Sequence, residues 1–262
     1  MILQLKDIHI SFTNAQNETF ELLRGVNLDV EKGKITALVG GNGTGKTTLF
    51  NIISGFEKNF TGNVLFEGNN LNKKSAHQIS LMGIGRLFQN GQLVGGLTLL
   101  ENMKLASNDS TGEMPFSSLI FSKKWKEAET RKGYQAREII TRIFGKDNKY
   151  LDMLNDDAST FSYGEQRILS LCSLLMGRNR LLLLDEPTSG VYPRYFAAIA
   201  QIILEMKKVH GLSVLLIEHN MGFVRKVADV CAYLNEGRIA KVDFPDEVLD
   251  DKNVRNSYFG YE

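Results

Sequence analysis

The sequence contains only two cysteines and four prolines among its 262 residues. Two cysteines, Cys172 and Cys231, cannot form a disulfide framework or a usual zinc site, which favours a reducing compartment. The N-terminus lacks a basic region followed by an apolar stretch, so we expect no secretory signal. The longest apolar run, at residues 195–200, is far shorter than the ~20 residues that span a bilayer. Any work at a membrane is therefore expected to be peripheral and to depend on a partner.

Neither sign of charge dominates, because 31 Lys and Arg residues face 30 Asp and Glu residues, a formal charge of +1. Without an overall positive field, nucleic acid is not an expected partner. Apolar residues make up 43% and charged residues 23% of the chain, close to the average for ordered globular proteins.

Two patterns of secondary structure occur in the first 60 residues. Residues 1–30 alternate apolar and polar side chains on either side of a polar turn at 13–18, which is typical of antiparallel strands. The apolar run Ile35–Val39 then leads through glycines into a helical stretch over Lys46–Ser54, stopped by Gly55. This order predicts a buried strand, a loop and a helix.

The remainder separates into a helical region and further α/β elements. Residues 97–160 have helical periodicity and no convincing strand, which predicts a helical subdomain inserted into a core made of residues 1–96 and 161–262. Strands at Leu181–Leu184 and Ser213–Ile217 flank a predicted helix around Phe196–His210, and this order implies parallel pairing with a right-handed crossover.

The strongest motif follows the strand at Ile35–Val39. It reads Gly-Gly-Asn-Gly-Thr-Gly-Lys-Thr-Thr and satisfies G-x-x-x-x-G-K-[ST]. In such a loop the backbone N–H groups converge on phosphate oxygens, Lys46 adds a positive charge and the Thr47 hydroxyl can ligate Mg²⁺. A glycine-rich turn that binds nothing is the alternative. The predicted nucleotide ligands are Gly40, Asn42, Gly43, Thr44, Gly45, Lys46, Thr47 and Thr48.

A second motif is the apolar strand at Leu181–Leu184, which ends in the carboxylates of Asp185 and Glu186. Asp185 is placed to hold Mg²⁺, and Glu186 to polarise an attacking water. Alone, the pair could also be two solvated acids in a surface loop.

A third motif comprises Ser162, Tyr163, Gly164 and Glu165 at a predicted helix start. A helix N-terminus can bind an anion. Without the other motifs, Ser162 and Glu165 would be interpreted as an ordinary capping box.

Together these segments resemble the nucleotide-binding subunit of an ATP-binding cassette (ABC) transporter, from about residue 3 to the C-terminus. Phe161–Glu165 resembles the family's LSGGQ signature in the LSYGxQ form typical of branched-chain amino acid importers. Residues 97–102, the ending at 254–260 and the long helical insert near 103–140 also resemble that subgroup.

The resemblance implies roles for further residues. Gln89 falls at the Q-loop glutamine, which contacts Mg²⁺ or water, and His219 at the switch histidine, which holds the γ-phosphate and the attacking water. Phe12 falls where an aromatic ring stacks on adenine. By themselves these residues would be an ordinary loop amide, a strand-end histidine and a core phenylalanine.

The sequence departs from the family pattern at two positions. Glu165 replaces the usual glutamine of the signature and brings a carboxylate near a phosphate site. Tyr192 stands in the D-loop where the family usually has Asp or Asn. Neither change removes a group that performs chemistry.

The fold implied by the resemblance is a single α/β P-loop NTPase domain of the ABC ATPase type over residues 1–262. It has an N-terminal antiparallel β subdomain and an inserted α-helical subdomain. The implied function is Mg²⁺-dependent ATP hydrolysis in an importer, driving uptake of a branched-chain or related amino acid by ATP-dependent dimerisation. An ABC ATPase that acts as a non-transport assembly or regulatory factor is the alternative.

The resemblance also implies cofactors and partners. ATP and Mg²⁺ are the expected cofactors, and each ATP lies between the glycine-rich loop of one subunit and the signature of a second. Transmembrane permease subunits, and through them a solute-binding protein, are the other expected partners. The expected location is the cytoplasmic face of the cell membrane.

Overall fold

The computed structural model describes residues 1–14, 17–89, 93–107 and 122–259, with no side chains described at 122–125 and 257–259. The chain divides into two compact units. The core unit comprises residues 1–89, 180–188 and 203–262, and the helical unit comprises residues 90–179 and 189–202. The sequence-based boundaries at 97 and 160 stay a prediction.

An antiparallel sheet forms the N-terminal part of the core unit. Its strands are β1 (Leu3–Thr13), β2 (Thr19–Val30), β4 (Thr61–Phe66) and β5 (Asn69–Asn70), in the order β2-β1-β4-β5. Leu3 pairs with Val30 and Phe12 with Phe20, so the antiparallel pairing expected for residues 1–30 is present.

A six-stranded sheet forms the rest of the core unit. Its strands run in the order β10-β9-β3-β8-β7-β6. Only β10 pairs antiparallel to its neighbour, and the other pairs are parallel. The bounds are β3 (Ile35–Val39), β6 (Ile84–Leu87), β7 (Leu181–Asp185), β8 (Ser213–Ile217), β9 (Val230–Asn235) and β10 (Arg238–Asp243).

All residues of β3, β7 and β8 are buried, which explains their mainly apolar sequences. Parallel strands buried on both faces need no polar side, and their carboxyl ends meet at one edge of the sheet. At this edge β3 leads into the glycine-rich loop, and β7 ends at Asp185, which is followed by Glu186.

Helices of the core unit include α1 (Lys46–Ile53) and α2 (Ala76–Leu81). Helix α1 ends one residue before the predicted position, followed by Gly55 in the left-handed conformation with φ 77°. The other helices that lie wholly in the core unit are α8 (Met221–Val227), α9 (Pro245–Leu249) and α10 (Lys252–Phe259).

The helical unit contains four helices that lie wholly within its described residues. They are α3 (Leu99–Leu105), α4 (Ser122–Phe144), α5 (Lys149–Asp152) and α6 (Tyr163–Ser173). Helix α7 (Phe196–His210) has the predicted bounds and includes residues of both units. Thr98 caps α3 with a capping box to Glu101.

Candidate active site

The glycine-rich loop joins β3 to α1 in a conformation that requires glycine. Gly43 and Gly45 have φ of 74° and 101°, in the left-handed region that glycine adopts without strain. A Cβ on Gly40 would lie 2.3 Å from the Leu234 carbonyl oxygen, so no side chain fits there. The loop therefore places backbone without side chains next to the start of α1, where a phosphate can approach closely.

Lys46 is the first residue of α1 and is only 5% exposed. Its Nζ donates hydrogen bonds of 2.8 Å to the carbonyl oxygens of Gly40 and Gly41. Burial lowers the pKa of Lys46, and the nearby carboxylates of Glu186 and Asp185 oppose that shift. The ammonium group is thus held within the loop and beside the two acids.

A cavity of about 200 Å³ lies over this loop. It brings together the glycine-rich loop, the residue that follows β7 and His219, which lies two positions after β8. Its lining residues are Leu22, Asn42, Gly43, Thr44, Gly45, Lys46, Thr47, Thr48, Glu186 and His219. Phe12 is not among the described residues that line it.

Glu186 lies between the two polar side chains that the resemblance assigned to catalysis. Gln89 Nε2 donates a hydrogen bond to Glu186 Oε2 at 2.8 Å. His219 Nε2 lies 3.2 Å from Glu186 Oε1. These three residues, separated by up to 130 positions in sequence, converge on one carboxylate at the cavity.

The loop that carries His219 is fixed by a buried acid that the sequence analysis missed. Glu218 is 3% exposed, and its Oε2 accepts a 2.7 Å hydrogen bond from the Thr188 hydroxyl. Its Oε1 accepts hydrogen bonds from the backbone N–H groups of His219 and Asn220 at 2.9 and 3.2 Å. The position of Glu218 directly before His219 was the available signal in the sequence. Its partner Thr188 could not be identified from the sequence.

Asp185 is 1% exposed at the end of β7, and its Oδ2 lies 3.2 Å from the Arg86 guanidinium. The candidate metal ligands, Thr47, Gln89 and Asp185, offer a hydroxyl, an amide and a carboxylate oxygen. This donor set suits Mg²⁺, which prefers oxygen, needs only one or two carboxylates and completes its shell with water and phosphates. No cluster of three or more His, Cys, Asp or Glu residues that could hold a metal occurs among the described residues.

Arg86, a further residue missed in the sequence, lies on β6 with its side chain 6% exposed. Its guanidinium donates 2.8 Å hydrogen bonds to Asn51 Oδ1 and Ser54 Oγ of the segment around α1. Burial lowers the pKa of Arg86, while Asp185 opposes the shift. An arginine within the apolar strand Ile84–Leu87 was the only sequence signal.

The signature residues lie at the start of α6 in the helical unit. Ser162 and Glu165 form the capping box, and Glu165 Oε2 accepts from the Ser162 N–H at 2.9 Å and from its hydroxyl at 2.7 Å. Glu165 also forms an ion pair with Lys149. The carboxylate that departs from the family pattern is therefore neutralised within its own unit.

Aromatic side chains surround the signature. The Tyr195 ring lies over Gly164, where an added Cβ would be 2.5 Å from its Cε2 atom. The Tyr195 hydroxyl is 3.5 Å from Ser162 Oγ and accepts a 3.1 Å hydrogen bond from Arg194. Tyr163 is 39% exposed at the first turn of α6.

Phe12 and Tyr192 occupy different environments. Phe12 is half-buried near the end of β1, with its ring centroid 6.2 Å from that of the cross-strand residue Phe20. Tyr192 is 73% exposed, and the Arg194 guanidinium lies 5.6 Å from its ring centroid. The Tyr192 side chain is therefore not packed against the body of the helical unit.

The fold and the site define an ATP-binding cassette, and the comparison with protein families agrees. The model of the ABC transporter family matches residues 23–189, which is more than half of the chain, so the chain belongs to this family. Both the predicted family and the predicted α/β P-loop fold class are confirmed, and with them ATP binding and ATP hydrolysis coupled to transport.

Individual relatives cover nearly the whole chain. The chain is 35% identical to the probable branched-chain amino acid transport ATP-binding protein LivG of Archaeoglobus fulgidus, over 91% of this chain and 89% of that protein. It is 30% identical to the high-affinity branched-chain amino acid transport ATP-binding protein LivG of Escherichia coli K12, over 91% of each. The names of these relatives agree with the prediction of a transporter's ATP-binding subunit.

Solved structures agree in fold. A nucleotide-free ATP-binding cassette from an ABC transporter is 31% identical, with a TM-score of 0.80 over 99% of both chains. The ADP conformation of such a cassette has a TM-score of 0.81 at the same identity and coverage. Within the described residues, no helix is long and apolar enough to cross a membrane.

Proposed function

We propose that this protein hydrolyses ATP in a Mg²⁺-dependent reaction and thereby drives the uptake of branched-chain amino acids through a membrane permease. The observation that carries the catalytic part is the Glu186 carboxylate held between Gln89 and His219 at the cavity over Lys46. The family and the printed names of the relatives support the transport part.

In this proposal Glu186 is the catalytic base. Its carboxylate accepts the proton of the attacking water, and the neighbouring Gln89 amide and His219 imidazole orient that water and the γ-phosphate. Both neighbours already touch Glu186 through their Nε2 atoms. The base is thus oriented on two sides before the substrate binds.

The phosphates are held by the glycine-rich loop. Backbone N–H groups of residues 42–48 and the Lys46 ammonium group balance the negative charge of ATP. Thr47, Asp185 and Gln89 would hold Mg²⁺, which when bound neutralises charge on the phosphates. Phe12 stacks on adenine from the end of β1.

The protein acts as a dimer in this proposal. Ser162, Tyr163, Gly164 and Glu165 contact ATP bound to a second nucleotide-binding subunit, of the same or a homologous chain. The exposed start of α6 supports this assignment, because the N-terminus of a helix attracts anions. Permease subunits, a solute-binding protein and a position at the cytoplasmic face of the cell membrane complete the assembly.

The test combines hydrolysis with uptake. Purified protein should release phosphate from ATP with Mg²⁺ but not with EDTA, and Lys46→Ala should abolish binding and turnover. Cells that depend on this protein should take up labelled leucine, and Lys46→Ala should stop uptake. Lys34→Ala is the control, since the Lys34 side chain forms a surface pair with Glu31. If the protein hydrolyses ATP but Lys46→Ala leaves leucine uptake unchanged, the alternative of a non-transport assembly factor is favoured instead.

A further inference from the structure

Arg86 carries a charge that is buried beside the ATP site but does not line it. Its side chain is 6% exposed and that of its partner Asp185 is 1% exposed. Burying an arginine–carboxylate pair is costly, and apolar replacements of such pairs are often as stable. The presence of this pair therefore calls for a reason beyond stability.

The guanidinium makes hydrogen bonds in two directions. One terminal nitrogen donates to Asn51 Oδ1 and Ser54 Oγ, both at 2.8 Å, and the other to Asp185 Oδ2 at 3.2 Å. Asn51 lies on α1, the helix that starts at Lys46. Arg86 thus joins the phosphate-binding helix to the carboxylate at the end of β7.

Arg86 also lies three residues before Gln89 and packs against the aromatic rings around that segment. Its Cζ atom is 4.5 Å from the centroid of Phe88, the neighbour of Gln89, and 5.7 Å from that of Phe50 on α1. Phe56 stacks edge-on against Phe88 with centroids 5.5 Å apart. These contacts fix Arg86 between α1 and the Gln89 segment.

We infer that Arg86 is a positioning residue for the divalent-cation site: it orients the Asp185 carboxylate relative to α1 and the Gln89 segment. This inference rests on the proposed Mg²⁺-dependent ATPase function. We assign Arg86 no direct contact with nucleotide or metal, since its terminal nitrogens already donate to Asp185, Asn51 and Ser54.

Charge and orientation make opposite predictions. If Arg86 acted through its charge, removing it would strengthen the binding of a cation at Asp185. The guanidinium and a cation bound to that carboxylate carry charges of the same sign and repel each other. Losing the hydrogen bond that orients a metal-binding carboxylate typically weakens metal affinity by roughly 10- to 100-fold. If Arg86 acts by orientation, both Arg86→Gln and Arg86→Lys weaken cation binding, although Arg86→Lys retains the charge.

Arg180 provides a matched control in the same unit. It also pairs with a carboxylate, that of Glu67, and its Cζ lies 5.1 Å from the Phe66 ring centroid. It lies next to the opposite end of β7, just before Leu181. Arg180→Gln therefore removes similar contacts away from the cation site.

The test measures Mn²⁺ binding by electron paramagnetic resonance, with Mn²⁺ replacing Mg²⁺ and adenylyl imidodiphosphate as the nucleotide. In Arg86→Gln and Arg86→Lys we expect Mn²⁺ affinity to fall about tenfold or more. Nucleotide affinity in EDTA should stay within about threefold, and Arg180→Gln should bind Mn²⁺ like the wild type. Ser54→Ala, which removes one anchor and leaves the charges in place, should give a smaller loss in the same direction.

The outcomes separate this inference from the proposed function. Unchanged or tighter Mn²⁺ binding in the folded Arg86 variants would overturn the positioning role. If the Arg86 variants do not fold, an unchanged Mn²⁺ affinity in Ser54→Ala would overturn it. If the wild-type protein binds no Mn²⁺ in the presence of the nucleotide, the Mg²⁺-dependent function itself fails.

Discussion

Lys149 forms an ion pair with Glu165, the residue that stands where the family's signature has glutamine. Partial burial opposes ionisation of Glu165, but hydrogen bonds from Lys149 and Ser162 outweigh it and lower its pKa to about 2. Lys149 thus neutralises the carboxylate that distinguishes this signature from the family pattern. Glu165 completes the capping box of α6 with Ser162 as well as a glutamine would, because either side chain can accept from the N-cap backbone N–H.

The first prediction concerns acid stability. Because the folded pKa of Glu165 lies below its ordinary value of 4.5, the pair stabilises the protein above that pH and this contribution is lost as the pH falls towards 2. Glu165→Gln should remove this part of the pH dependence and cost about 1 kcal/mol or less at pH 7. Urea unfolding at several pH values measures both effects.

A surface glutamate provides the control for that experiment. Glu138 pairs with Arg142 on α4 at 2.9 Å, and its side chain is 69% exposed. Glu138→Gln should leave the acid dependence nearly unchanged. If the wild type and Glu165→Gln lose the same free energy of unfolding as the pH falls, the Glu165 ion pair is not the source of this acid dependence.

The second prediction concerns Glu186 as base. Glu186→Gln keeps the hydrogen-bonding shape of the side chain but cannot accept the proton from water, so hydrolysis should fall by ~10²–10⁴-fold while ATP binding persists. Size-exclusion chromatography with ATP should reveal an accumulated dimer. Turnover within about threefold of wild type would exclude Glu186 as the base.

Phe12 is the subject of the third prediction. Stacking on an aromatic ring contributes ~1–3 kcal/mol per base, so Phe12→Ala should weaken ATP binding by roughly 5- to 150-fold with little change in the melting temperature without ligand. Phe20→Ala is the matched control, since Phe20 faces Phe12 across the strands and is 51% exposed. Strong destabilisation with intact ATP affinity would make Phe12 a core residue.

The fourth prediction concerns Tyr192. An exposed aromatic ring with a polar tip is a common interface anchor, so Tyr192→Asp should leave ATP affinity of the monomer unchanged and shift the ATP-dependent dimerisation constant. Tyr134→Asp serves as the control, because Tyr134 is 71% exposed on α4. Sedimentation with ATP measures the dimerisation of the wild type, Tyr192→Asp and Tyr134→Asp. Equal dimerisation of these three proteins would exclude an interface role for Tyr192.

The sequence predicted those parts of the fold whose signal is local. The mainly apolar runs at Ile35–Val39 and Ser213–Ile217 are buried parallel strands with the predicted bounds, since burial on both faces leaves few polar positions. The helix at Lys46 was predictable because glycines and a lysine at fixed spacing define its start. β9 and β10 were not predicted.

The contacts that orient the site were not predictable, because they join residues distant in sequence. Arg86 and Asp185 meet across the parallel pair β6–β7, in which Arg86 is opposite Leu183. Glu218 bonds to Thr188, 30 positions earlier. No local pattern indicates which polar residue a buried charge will contact, because these contacts form only when the strands of the sheet pair.

The backbone at Glu186 has a consequence for how this protein can evolve. Its φ of 46° is left-handed, a conformation that costs a non-glycine residue roughly 1–3 kcal/mol. Glu186→Gly should relieve that cost and raise the free energy of unfolding, while removing the group proposed as the base. Selection for a more stable chain and selection for a working one therefore oppose each other at Glu186.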